Sequence, residues 1–154
     1  MLAYKHLWKE NKHYFAFAWI LLAAGVTVGF AQAETVSKLA EQMMSQVKQI
    51  AESMGKNPSA GSVFWAIFSN NVRSTFFMMI LGVFFAVIPV NGLLANGILL
   101  GYLMETMNAS GLNPFWIFVV GILPHGLFEL PAVVFSAGIG IRYGILVFRT
   151  LTSF

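Results

Sequence analysis

Pro124-His125-Gly126-Leu127-Phe128-Glu129-Leu130-Pro131 sets an imidazole and a carboxylate four residues apart inside an otherwise apolar run. On a helix that spacing puts both on one face, where two side chains can share a ligand or a proton. An ionisable group at membrane depth costs about 2.5–3.5 kcal/mol on insertion scales, so such a pair is read first as a functional site. Each flanking proline removes a backbone donor and clashes with the preceding turn. The sequence therefore predicts a broken or kinked helix, with unpaired carbonyls and amides beside His125 and Glu129. An imidazole and a carboxylate suit zinc, but one chain offers two of the usual four ligands, and the second histidine of the double-histidine zinc pattern is missing. Three roles stay open for the pair: a structural hydrogen bond, a metal site made by His125 and Glu129, or a proton or substrate path.

These groups need elements to hold them, and the composition says what kind. Hydrophobic residues make up 58% of the 154-residue chain and charged residues 10%, against about 25% charged in a soluble domain. This is the composition of an integral membrane protein with too little polar sequence for a separate soluble catalytic domain. The absence of cysteine excludes disulfides and thiolate metal sites. The formal net charge of +3 does not indicate a nucleic-acid surface, because the basic residues are scattered and flank apolar spans, where they set topology. No Ser-His-Asp set, phosphate-cradling loop or dinucleotide fingerprint occurs, so the expectation is a protein that is not an enzyme.

The fold class expected is all-α: a polytopic helical membrane protein of about four to five spans, with one proline-broken helix and an extracytoplasmic amphipathic helix. Lys5, His6, Lys9, Lys12 and His13 precede a first span over 14–33, which places the N-terminus in the cytoplasm. Over 34–61, Val36, Ala40, Met43, Val47, Ile50 and Met54 recur at heptad spacing and predict the amphipathic helix and its loop. A second span follows over 72–90, with Asn70, Asn71 and Arg73 at its mouth, either capping the helix and snorkelling to the headgroups or satisfying the carbonyls freed by the broken helix. Asn91-Gly92 reads as a tight connection into a third span over 91–107. The broken element occupies 114–148. Gly25 and Gly29, and again Gly97 and Gly101, form small-residue stripes that let another helix approach closely. Together with the heptad face they predict a homodimer.

Asn70-Asn71-x-Arg73, Asn96-Gly97-x3-Gly101 and Pro124-His125-Gly126-x2-Glu129-x-Pro131, followed by Gly138 and Gly140, resemble the stage II sporulation protein M family over nearly the whole chain. The resemblance implies a small non-enzymatic membrane scaffold, acting with stage II sporulation proteins D and P in the remodelling of septal peptidoglycan during engulfment. The alternative from the residues themselves is a permease-like or channel-like component with a midplane site at the broken helix. His125, Glu129, Pro124, Gly126 and Pro131 are the expected functional centre. Asn70, Asn71 and Arg73 surround it, and any zinc would be completed by a symmetry mate.

Overall fold

The structure is a computed structural model that describes residues 2–53, 59–113, 116 and 123–153. Five α-helices account for nearly all of it. Helix α1 (Leu2–Ala31) passes into α2 (Ala33–Ser53) across the single turn residue Gln32. The backbone bonds from Gln32 to the Val28 carbonyl (2.8 Å) and from Val36 to the Gln32 carbonyl (3.1 Å) bridge that joint. α2 therefore leaves α1 almost as its continuation. Its inner face buries Ala40 and half-buries Val36 and Met43, while Lys38 and Glu41 stay exposed. It packs on α4.

Ser59 opens α3 (Ala60–Ile80) from an extended conformation, its hydroxyl accepting from the Ser62 amide at 3.2 Å. That satisfies one of the amides a helix start leaves free. α3 ends in a 3-10 turn, Leu81–Val83, and the chain reverses over Phe84, Phe85 and Ala86 into α4 (Val87–Ala109). Pro89 lies in the first turn of α4, where its missing amide has no intrahelical partner to lose. The last helix is α5 (Leu123–Thr152).

Contacts fix the directions of these helices. Gly25 meets Gly97, and Gly101 meets Val26 and Phe30, so α1 and α4 advance together and are parallel. Phe15 packs edge-on against Phe135 at 4.8 Å while Arg142 reaches Glu10 and Asn11, so α5 runs antiparallel to α1. α3 runs parallel to α5, with Met78 beside Gly140 and Ala86 beside Gly144. The core lies where these helices converge, around Ala18, Leu22, Met78, Leu93, Val134 and Ile141.

Of the four to five spans expected, three are found among the described residues as helices long and apolar enough to cross a membrane: Lys9–Ala31, Val87–Ala109 and Glu129–Thr152. α3 matches them in length, but Asn70, Asn71 and Arg73 at its centre dilute its apolar content. Two sequence expectations are corrected. The connection expected at Asn91-Gly92 lies earlier, at Phe84–Ala86, and both residues are inside α4. The helix expected to break around His125 is continuous from Leu123 through Pro131 to Thr152. Pro124 falls in its first turn, where no donor is needed. Pro131 forgoes one backbone bond, offset by the burial of Val133, Val134 and Ala137 behind it. The half-helix expected before Leu123 falls mainly outside the described residues.

Candidate functional site

Two glycine contacts bring the helices to backbone distance. A Cβ at Gly25 would lie 2.7 Å from the Leu94 carbonyl oxygen, and one at Gly29 would overlap the Ile98 carbonyl. From the other side, a Cβ at Gly97 would stand 2.9 Å from the Gly25 Cα, and one at Gly101 would overlap the Val26 carbonyl. The two stripes thus close on each other within one chain. They are consumed by the α1–α4 contact and leave no small-residue surface there for a dimer. A second contact joins α5 to the α3–α4 reversal: a Cβ at Gly140 would lie 2.6 Å from the Met78 carbonyl oxygen, and one at Gly144 2.5 Å from that of Gly82.

These contacts set the level of the polar residues. Asn71 lies about three turns before Gly82 on α3, and Glu129 about three turns before Gly140 on the parallel α5. Asn71, Thr75, Met78 and Gly82 form the buried or half-buried stripe of α3, at spacings that keep them on one face. Glu129, Val133, Ser136, Gly140 and Gly144 form the matching stripe of α5. Asn71 and Glu129 therefore share one end of the seam. Asn70 and Arg73 are exposed on the far side of α3, where the Arg73 guanidinium stands 5.8 Å over the Phe77 ring.

Depth follows from Leu130, which packs against the cluster containing Ala18 and Leu22. Those residues lie near the middle of the apolar run Lys9–Ala31, so Glu129 stands level with the middle of the apolar run of α1, at the first residue of the run Glu129–Thr152 in α5. The side chains of Pro124, His125 and Gly126 lie outside the described residues, although the backbone there is helical. Among the described residues no three His, Asp or Glu side chains gather as a metal site. The zinc expectation therefore turns on His125.

Two features escaped the sequence reading. Arg142 donates from Nη1 to the Asn11 Oδ1 at 2.8 Å and from Nη2 to the Glu10 Oε2 at 3.2 Å, clasping α1 to α5. The available signal was an arginine interrupting the apolar run of α5, with Glu10 the one acid among the basic residues that precede the first span. The other feature is an open groove of about 740 Å³ along α1 and α4, walled by Trp19, Val26, Phe30, Leu100 and Met104 with Asn113 at its edge. Its lining is hydrocarbon, suited to an acyl chain and not to a polar substrate.

A model of the stage II sporulation protein M family matches residues 16–154, which include both glycine contacts and every polar residue of the α3–α5 seam. The chain belongs to that family. With three helices among its described residues long and apolar enough to cross a membrane, this family member is a membrane protein of a sporulation family. The matched region begins after Glu10 and Asn11, so the α1 half of the Arg142 clasp lies outside it. A relative, an uncharacterized protein of Methanocaldococcus jannaschii, is 26% identical over 123 residues, 80% of this chain and 64% of that protein. The chain thus spans a little under two thirds of that relative's length. No solved structure matches it.

Proposed function

We propose that the chain is a non-enzymatic membrane scaffold that holds peptidoglycan-remodelling proteins at the septal membrane during engulfment, with stage II sporulation proteins D and P as its partners. Membership of the stage II sporulation protein M family carries this reading. A framework of helices locked at backbone distance suits a platform better than a moving gate. The permease-like alternative needs a discontinuous helix at the midplane. The described part of α5 is uninterrupted, which favours the scaffold. In an endospore former lacking its own stage II sporulation protein M, the chain should restore engulfment. Tagged protein from those cells should co-purify the D and P proteins. Failure of both results would remove the scaffold role.

The same reading puts the N-terminus in the cytoplasm and α2 outside, where its exposed face, including Lys38, Glu41 and Glu52, is open to partners. The chain contains no cysteine, so single cysteines report without background. In intact cells Ser45→Cys should react with an impermeant maleimide and Ala3→Cys should be protected. The opposite pattern would invert the topology and put α2 on the wrong side for septal partners.

A further inference from the structure

The groove along α1 and α4 has the length of one leaflet of a membrane. Its wall on α1 runs from Trp19 to Phe30, about 16 Å of helix, with Leu100 and Met104 facing it from α4. Both helices are among those long and apolar enough to cross a membrane, and within the run Lys9–Ala31 Trp19 stands near the middle and Phe30 at the end. Half of a hydrocarbon core of about 30 Å is about 15 Å, so the groove reaches from mid-membrane to the surface where α1 passes into α2. Tryptophan collects at membrane surfaces, yet Trp19 lies far from either end of its run and walls the deep end of the groove. Past Phe30 the chain turns polar at once, with Gln32 and Glu34 exposed at the α1–α2 joint. A ligand along these walls is therefore apolar over its length and meets polar groups at one end. Among the described residues of the wall Thr27 carries the only hydroxyl, and it donates to the Ala23 carbonyl at 2.9 Å.

We propose that this groove is a lipid site, holding an acyl chain of a membrane phospholipid from the leaflet on the side of α2. Its section decides between a lipid chain and a partner's helix. A volume of about 740 Å³ over about 16 Å gives a mean section of about 45 Å², little more than half of what a helix about 10 Å across fills. The groove is too narrow to seat a helix, whereas a flexible hydrocarbon chain follows it. In lipid there is no hydrophobic drive to hold that chain, because hydrocarbon surrounds the protein. Retention rests on dispersion contacts summed along walls from α1, α4 and Leu130 of α5. The glycine contacts keep α1 and α4 at backbone distance beside the groove, so its walls persist when a chain leaves. The site holds whether or not the protein binds the D and P proteins.

The test uses the full chain in nanodiscs of dioleoyl phosphatidylglycerol, doped with the same lipid carrying a photoactivatable diazirine in one acyl chain. Lipid that only surrounds the protein labels residues by exposure, which favours Ile20 and Val28 of α1, 64% and 43% exposed. A held chain should instead label the half-buried Val26, Leu100 and Met104 at least tenfold more. In mild detergent, native mass spectrometry should find one phospholipid retained on the parent. Ala23→Phe, which fills the groove, should lower that occupancy at least tenfold, and Ala24→Phe, exposed at the same depth outside the described wall, should not. The photolabelling is read on the parent chain, so it decides even if Ala23→Phe impairs folding. Labelling that follows exposure, a parent that retains no lipid, or equal occupancy in the two variants would overturn the site. So would a disulfide-linked dimer of Met104→Cys in membranes, which would give the groove to a second copy.

Discussion

Alanine at Gly101 is expected to destabilise the protein, although helix propensity alone predicts the opposite. In an exposed helix interior, glycine to alanine stabilises by about 1 kcal/mol. At Gly101 the new methyl would overlap the Val26 carbonyl oxygen and stand 2.7 Å from the Phe30 amide nitrogen. Both are backbone atoms of α1 and cannot rotate away, so the helices must separate. Overpacking of this kind costs about 1–3 kcal/mol, and it also loosens the neighbouring contacts of Gly25, Gly29 and Gly97. The net expectation for Gly101→Ala is a loss of up to about 2 kcal/mol, once the propensity gain is subtracted. Gly101→Leu should fail to assemble. Gly61→Ala is the control, since only the Ser59 hydroxyl oxygen, at 3.9 Å, would touch its methyl. Thermal unfolding in mild detergent should rank Gly61→Ala at or above the parent and Gly101→Ala clearly below it. If Gly101→Ala melts with the parent, α1 and α4 do not approach as closely as described.

The legible parts of the sequence were those set by local chemistry. Ala, Met and Val at heptad spacing marked the amphipathic α2, and the spacing of Gly25, Gly29, Gly97 and Gly101 marked surfaces made for close approach. Spacing does not say which surface a stripe meets. Two stripes in one chain fit a dimer as well as they fit each other, and the choice depends on α1 and α4 being parallel, a consequence of the whole chain path. The position of the reversal was illegible for another reason. Asn91-Gly92 carries turn chemistry, yet it is absorbed into α4, with Gly92 leaving room for the Met78 side chain. The chain turns instead at Phe84-Phe85-Ala86, which carries no turn chemistry and is held by packing against α5.

Proline signals misled in the same way. Pro131 reads as a break from sequence alone, but its cost is one backbone bond, and the burial of α5 against α1 and α3 exceeds it. Asn70, Asn71 and Arg73 looked like the mouth of a span because the apolar run resumes after them. The Ser59 cap starts the helix three turns earlier and carries them to its centre. That shift moves three residues expected at a helix end to the middle of one. It also places Asn71 and Glu129 at one end of the α3–α5 seam.

Valine at Ala86 is expected to cost far more than glycine there. Phe85 and Ala86 have φ of 54° and 63°, the left-handed region that L-residues enter at about 1–2 kcal/mol each. Ala86 is 7% exposed, and its amide donates to the Gly82 carbonyl at 2.9 Å, closing the reversal. Removing the methyl relieves the left-handed cost but gives up buried apolar surface worth about 0.8 kcal/mol. Ala86→Gly should therefore stay within about 1 kcal/mol of the parent. Ala86→Val adds a β-branched side chain in a conformation that such residues rarely adopt. It also adds bulk where Gly144 already presses against the Ala86 backbone with no side chain left to withdraw. Strain and overpacking together should remove about 3 kcal/mol or more, seen as a fall in thermal midpoint and in membrane-inserted yield. Near-parental stability for Ala86→Val would mean that the chain reverses elsewhere. The level assigned to Asn71 and Glu129, counted from Gly82 and Gly140, would then have to be measured again.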